Sequence, residues 1–150
     1  MQSARIWFRQ SCPPITLATV ETFLEELGAK VAKTEWTLGT FVIPQLHVMQ
    51  PVPFLIQLND DEYVVEEAEE FVELAGLPSE IRTKLSTLDA RLEVGDVSEN
   101  AFVLGEAINV FEGWTNFDPS HPKVLELLRK LAIEFDGIFE DNVNGIWWPS

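Results

Sequence analysis

Residues 59–76, NDDEYVVEEAEEFVELAG, carry two patterns that a single placement must satisfy. Val64, Ala68, Phe71 and Ala75 recur at helical spacing, and Gly76 suits the left-handed residue that closes a helix. Around the rest of that helix stand Glu62, Glu66, Glu69 and Glu73, with Glu67 and Glu70 beside them and no Lys or Arg between. Such a helix rests on a core along one stripe and turns a column of carboxylates to water. Asn59 or Asp60 is placed to cap its N-terminus, with Glu62 completing a capping box from Asn59. Like charges at i and i+4 cost roughly 0.2–0.5 kcal/mol each, so the column weakens its own helix. The helix dipole offsets this for the early acids but not for Glu70 and Glu73, which lie near the C-terminal end. A carboxylate column kept against that cost is either a solvated face or a surface reserved for a positively charged partner.

The charge of the chain is segregated on a larger scale. Residues 34–81 hold ten acids and no Lys or Arg, and residues 92–122 hold six acids and none. The formal net charge of −15 disfavours direct binding to nucleic acid or to an anionic membrane, both of which need a cationic surface. It leaves a basic protein, a cation or simple solubility as what the charge serves.

With 150 residues, the chain is expected to form one domain with a core large enough to need no staples. Cys12 is the sole cysteine, so neither an internal disulfide nor a cysteine-based zinc site can form. Cys12 itself reads as a small buried thiol. The N-terminal residues lack a signal peptide's apolar core, and no apolar run approaches 18 residues. A cytoplasmic location is expected.

Residues 4–9 alternate as a strand, with Ile6 and Phe8 facing one way and Trp7 the other. A helix follows over about 16–27, and residues 31–43 are β-leaning with a bend at Gly39. Residues 44–53, PQLHVMQPVP, read as a loop or an edge, because three prolines exclude a central strand. An apolar strand at 54–58 leads into the acidic helix, and a shorter helix spans 79–88. Residues 90–96 alternate, with Leu92 and Val94 facing in and Arg91 and Glu93 out. Residues 101–114 fit a strand running into a helix. Ser120 is a cap for a helix whose buried stripe is Val124, Leu128, Leu131 and Phe135, and Asn144-Gly145 marks the turn of a C-terminal hairpin. This order gives an α+β fold: a mostly antiparallel sheet covered by about four helices, ending in a β-hairpin.

Catalytic signatures are not found. His47 and His121 lie in no paired metal-ligand motif, the glycines are scattered at element ends, and no nucleophile elbow occurs. Asp60-Asp61-Glu62 lacks the spacing and central Gly of a calcium loop. No catalytic, cofactor-binding or metal-binding residues are assigned, and no enzyme is expected. The adjacent Trp147 and Trp148 must point to opposite faces of a strand. Both are buried only if both faces are covered.

In size, acidity and lack of a catalytic signature, the whole chain resembles the immunity proteins of bacterial toxin systems. No diagnostic motif carries the resemblance, so no family residue is transferred. It implies a basic partner, a cognate toxin such as a nuclease, whose active site is occluded. On this reading the partner-binding residues are Asp60, Asp61, Glu62, Tyr63, Glu66, Glu69, Glu70 and Glu73, with Trp36 and Trp148 as aromatic anchors. A homodimer is compatible with it. Three rivals stand beside it: a nucleic-acid mimic aimed at a DNA-binding protein, a small hydrolase using a carboxylate pair, and a structural subunit that self-associates.

Overall fold

Successive residues of β1 (Ser3–Phe8) point to two different buried faces. Ala4, Ile6 and Phe8 enter one hydrophobic cluster, and Trp7 enters another. β1 also lies inside its sheet, antiparallel to β5 (Ala90–Gly95) on one side and to β6 (Ile138–Asp141) on the other. The remaining strands are β2 (Lys30–Leu38), β3 (Phe41–Gln50), β4 (Phe54–Asn59) and β7 (Ile146–Trp148). The computed structural model describes residues 3–38, 40–74, 76–95, 118–141 and 144–149. Among these the seven strands form one antiparallel sheet in the order β2-β3-β4-β5-β1-β6-β7.

Four helices among the described residues cover the two faces, giving the α+β fold that the sequence predicts. On the face of Ile6 and Phe8 lie α1 (Leu17–Glu26), through Val20 and Leu24, and α4 (Pro122–Glu134), through Val124, Leu127, Leu128 and Leu131. Phe135, just past α4, stacks near Phe8 with ring centroids 5.5 Å apart. The other face receives α2 (Glu62–Val72), through Val64 and Ala68, and α3 (Ser79–Leu85), through Ile81 and Leu85. These close over Trp7 and Ile138. None of the described helices is long and apolar enough to cross a membrane.

Several expectations are corrected. The proline-bearing stretch is not a loop throughout, since Pro44 to Gln50 belong to β3, an internal strand. Pairing with β4 covers Leu46 to Val48, so at Pro44 the strand has β2 beside it and nothing paired on its other side. Locally that is an edge, where a missing N–H is tolerated. Asp61, rather than Asn59 or Asp60, caps α2 by accepting the Tyr63 N–H, while Asn59 is the last residue of β4 and accepts from Gln57. His121, rather than Ser120, caps α4, its Nδ1 accepting the Lys123 N–H at 3.2 Å; Ser120 instead donates to Asp118. Cys12 is exposed, not buried. The expected strand and helix at residues 101–114 lie outside the described residues.

Arg91 and Glu93 do not face solvent either. Arg91 is 6 % exposed and Glu93 half-buried, because the helices of the second face cover that side of β5 as well.

The C-terminal hairpin forms as predicted, with Gly145 at φ 67° in its turn and Asp141 accepting both the backbone and side-chain N–H of Asn144. The passage from α4 into β6 is tighter. A Cβ on Gly137 would lie 2.3 Å from the Trp7 carbonyl oxygen, so only the absence of a side chain lets the two backbones approach this closely.

Candidate partner-binding surface

Helix α2 is held by one stripe. Val64 and Ala68 are buried, Phe71 is half-buried, and the rest of the circumference is free for charge. Asp60, Asp61, Glu62, Glu66, Glu69, Glu70 and Glu73 are all exposed. None of the five glutamates among them makes an ion pair among the described residues. Tyr63, 60 % exposed, stands one turn before Glu66 and two before Glu70 on the same stripe.

Glu67 departs from the expected column. It lies three residues after Val64 and four before Phe71, which places it at the border of the apolar stripe, and its carboxylate turns inward to pair with Arg91. The two predicted aromatic anchors are not brought to this surface. Trp36 lies on β2, opposite Ile43, at one edge of the sheet, and Trp148 lies on β7 at the other edge. Trp148 packs on the first face, with the Arg129 guanidinium 5.4 Å from its ring centroid, whereas α2 covers the second. Trp147 takes the second face, beside Phe71. Both faces under the tryptophan pair are therefore covered.

Beneath α2 is an ionic cluster that strand periodicity did not foretell. Arg5, Glu93 and Glu140 are cross-strand neighbours on β1, β5 and β6. Arg5 bonds Glu93 at 3.1 Å and approaches Glu140 at 3.5 Å. Arg91 pairs with Glu67 and reaches Glu93 at 2.9 Å, with its guanidinium 5.1 Å from the centroid of Trp7. The Arg91 Nε–H does not point at that Glu93 oxygen, so this contact is an ion pair without a hydrogen bond. Trp7 donates its indole N–H to Glu140 at 3.0 Å. The signal available in the sequence was the placement of Arg5, Arg91, Glu93 and Glu140 within otherwise apolar strands.

Burial sets the electrostatics. Glu140, 4 % exposed, is held above the ordinary carboxylate range by desolvation, against the opposing pull of Trp7 and Arg5. For Arg5 burial alone would lower the value, but the carboxylates of Glu93, Glu140 and Glu67 outweigh it and hold the guanidinium above its usual range. On β3, His47 is pushed below its ordinary value by burial, and its Nε2 has no partner among the described residues.

Two concavities flank these elements. A pocket of about 470 Å³ opens between the end of α2 and the C-terminal hairpin, walled by Phe71, Leu74, Leu77 and Trp147 and including Glu140. A groove of about 590 Å³ lies between the start of α1 and β2–β3, with Leu17, Leu46 and Leu58 inside and Lys33, Glu35 and Asp60 around them. Among the described residues no group of three or more His, Cys, Asp or Glu side chains is arranged to hold a metal ion. No protein-family model matches the chain, and neither a curated protein nor a solved structure matches it.

Proposed function

We propose that this protein is an acidic protein-binding inhibitor, of the immunity type, that neutralises a basic partner by setting α2 into the partner's cationic groove. The observation that carries the reading is the exposed set Glu62, Glu66, Glu69, Glu70 and Glu73, which has no cation paired to it among the described residues while Glu67 on the same helix is paired. Side chains at i and i+4 stand about 5–6 Å apart, so the column offers carboxylates at regular intervals, as a nucleic-acid strand offers phosphates. A partner built to hold such a strand, a nuclease for example, would present Lys and Arg at matching places. Long-range attraction then speeds encounter, and the exposed ring of Tyr63 gives the contact its apolar anchor.

The test is capture from a lysate of the source organism on tagged protein, washed at low and then high salt, beside Glu62→Lys/Glu66→Lys. The reading expects one dominant basic protein, retained by the wild type and lost by the variant. Retention by both would refute it. Many basic proteins lost together at high salt would favour the nucleic-acid mimic.

A hydrolase is the second reading, and one observation favours it: Glu140 is a carboxyl with a raised proton affinity in a pocket. A carboxylate mechanism needs a second acid across the cleft, and among the described residues Glu140 is the one acid in that lining.

A further inference from the structure

The pocket at the end of α2 has a chemistry that the exposed glutamates do not explain. Glu140 is buried, yet both of its polar contacts, from Trp7 and Arg5, fall on Oε1. Its Oε2 has no partner among the described residues. The ionic cluster to which it belongs contains three carboxylates, Glu67, Glu93 and Glu140, against two guanidiniums, Arg5 and Arg91. With all five ionised, one negative charge is left over, and Glu140 is the member of the cluster that lines the pocket. A buried charge in excess is stabilised by a cation brought to it.

The walls indicate which cation. Trp147 is the cross-strand neighbour of Glu140 on β7, so its ring stands beside that carboxylate. Trp7 and Trp148 each carry an arginine over the ring, at 5.1 and 5.4 Å. Trp147 meets Phe71 edge-on, ring centroids 5.4 Å apart, and carries no cation among the described residues. Leu74, half exposed at the rim, offers apolar surface to a side chain's methylene stem. A guanidinium is planar, remains charged when desolvated and stacks on indole, where an ammonium is a strongly hydrated point charge.

We infer that this pocket receives an arginine side chain of the basic partner, its guanidinium on Trp147 and bonded to Glu140 Oε2, its stem along Leu74. The inference rests on the reading that the partner is a basic protein. It adds a buried anchor at one end of α2 to the exposed carboxylate column. The column steers, and the pocket sets how long the partner stays.

The experiment titrates the full chain with the peptide Ac-Gly-Arg-Gly-NH2 and with the same peptide carrying neutral, isosteric citrulline, following the indole N–H of Trp147 by NMR. The arginine peptide is expected to shift that signal saturably, and citrulline to bind about tenfold more weakly, the equivalent of one charge-assisted hydrogen bond. Glu140→Gln should weaken the arginine peptide by about the same factor. Leu74→Lys, a change at an exposed position that does not threaten the fold, should weaken it in the same direction by placing a competing cation at the rim. Equal affinity for the two peptides, no saturable shift at Trp147, or unchanged binding in Leu74→Lys overturns the inference. Glu62→Lys/Glu66→Lys separates the two proposals, because Glu66 lies about 9 Å along the helix from Val72, its last residue, and Leu74 lies beyond that end. If that variant loses the captured partner while no arginine shift is seen, the pocket falls and the column stands. If it keeps the partner while arginine still shifts Trp147, the column falls and the pocket stands.

Discussion

Trp7 and Glu140 are diagonal neighbours on adjacent strands, and the indole N–H of one meets the carboxylate of the other at 3.0 Å inside the covered second face. The contact ties a fully buried ring of the sheet to a buried glutamate, in a cluster that also orients α2 through Glu67. Trp7→Phe deletes the donor together with part of a fully buried ring, so a cavity cost adds to that of the lost hydrogen bond. It is expected to lower stability by at least about 1–3 kcal/mol, the cost of leaving a buried acceptor short of a partner. Urea denaturation of the two proteins measures it, and a change within error would mean that Arg5 alone satisfies Glu140.

The same carboxylate gives stability a pH dependence of known sign. Burial raises Glu140 above its ordinary value of 4.5, so as pH falls the folded chain takes up this proton before the unfolded chain does. Glu140 therefore favours folding at low pH and disfavours it increasingly as pH climbs from the ordinary value through the raised one. Relative to Glu140→Gln, the wild type should lose stability over that window and then level off. Chemical denaturation at several values between about pH 4 and 8 reads the difference, and a flat difference contradicts the assignment.

Arg91 serves two carboxylates, Glu67 on α2 and Glu93 on β5, from a buried position. Arg91→Met keeps the volume and removes the charge, leaving three acids around Arg5. Truncating one side of a buried pair typically costs about 3–5 kcal/mol. The variant should unfold at a markedly lower denaturant midpoint, and α2 should be the first helix to lose amide-exchange protection.

At Gly137 the constraint is steric. Gly137→Ala would drive a methyl into the Trp7 carbonyl, where the nearest atom is rigid backbone at 2.3 Å. The expected loss is about 1–3 kcal/mol or more, as for overpacking generally. A thermal scan checks it, and an unchanged midpoint would show that the turn after α4 shifts freely.

Much of this architecture was legible in the sequence. The alternation of Ile6, Trp7 and Phe8, the stripe of α4 and the Asn144-Gly145 turn each specify an element locally, and each is found where expected. What was misread depends on a second helical layer. Arg91 and Glu93 look like the solvent side of an alternating strand, and they would be if helices covered one face. With α2 and α3 on the other face, those positions become interior and must pair. Glu67 was misplaced for a related reason, since a residue at the border of an apolar stripe goes inward or outward according to what the neighbouring layer offers. For Pro44, the sequence shows the missing N–H but not how far β4 extends alongside β3. The acidic stretch was read correctly as a helix, but nothing in it tells that Trp36 and Trp148 end on opposite edges of the sheet.

The position of β1 between β5 and β6 bears on how the protein is made. β1 leaves the ribosome ahead of both its neighbours and finds them only after residues 90–95 and 138–141 have been synthesised. At ordinary elongation rates that is a delay on the order of ten seconds, during which Ile6, Trp7 and Phe8 have no sheet to enter. The sheet is completed only when β6 joins it, so nascent chains halted before β6 would leave one edge of β1, with Ile6, Trp7 and Phe8, uncovered and depend on chaperones to stay unaggregated.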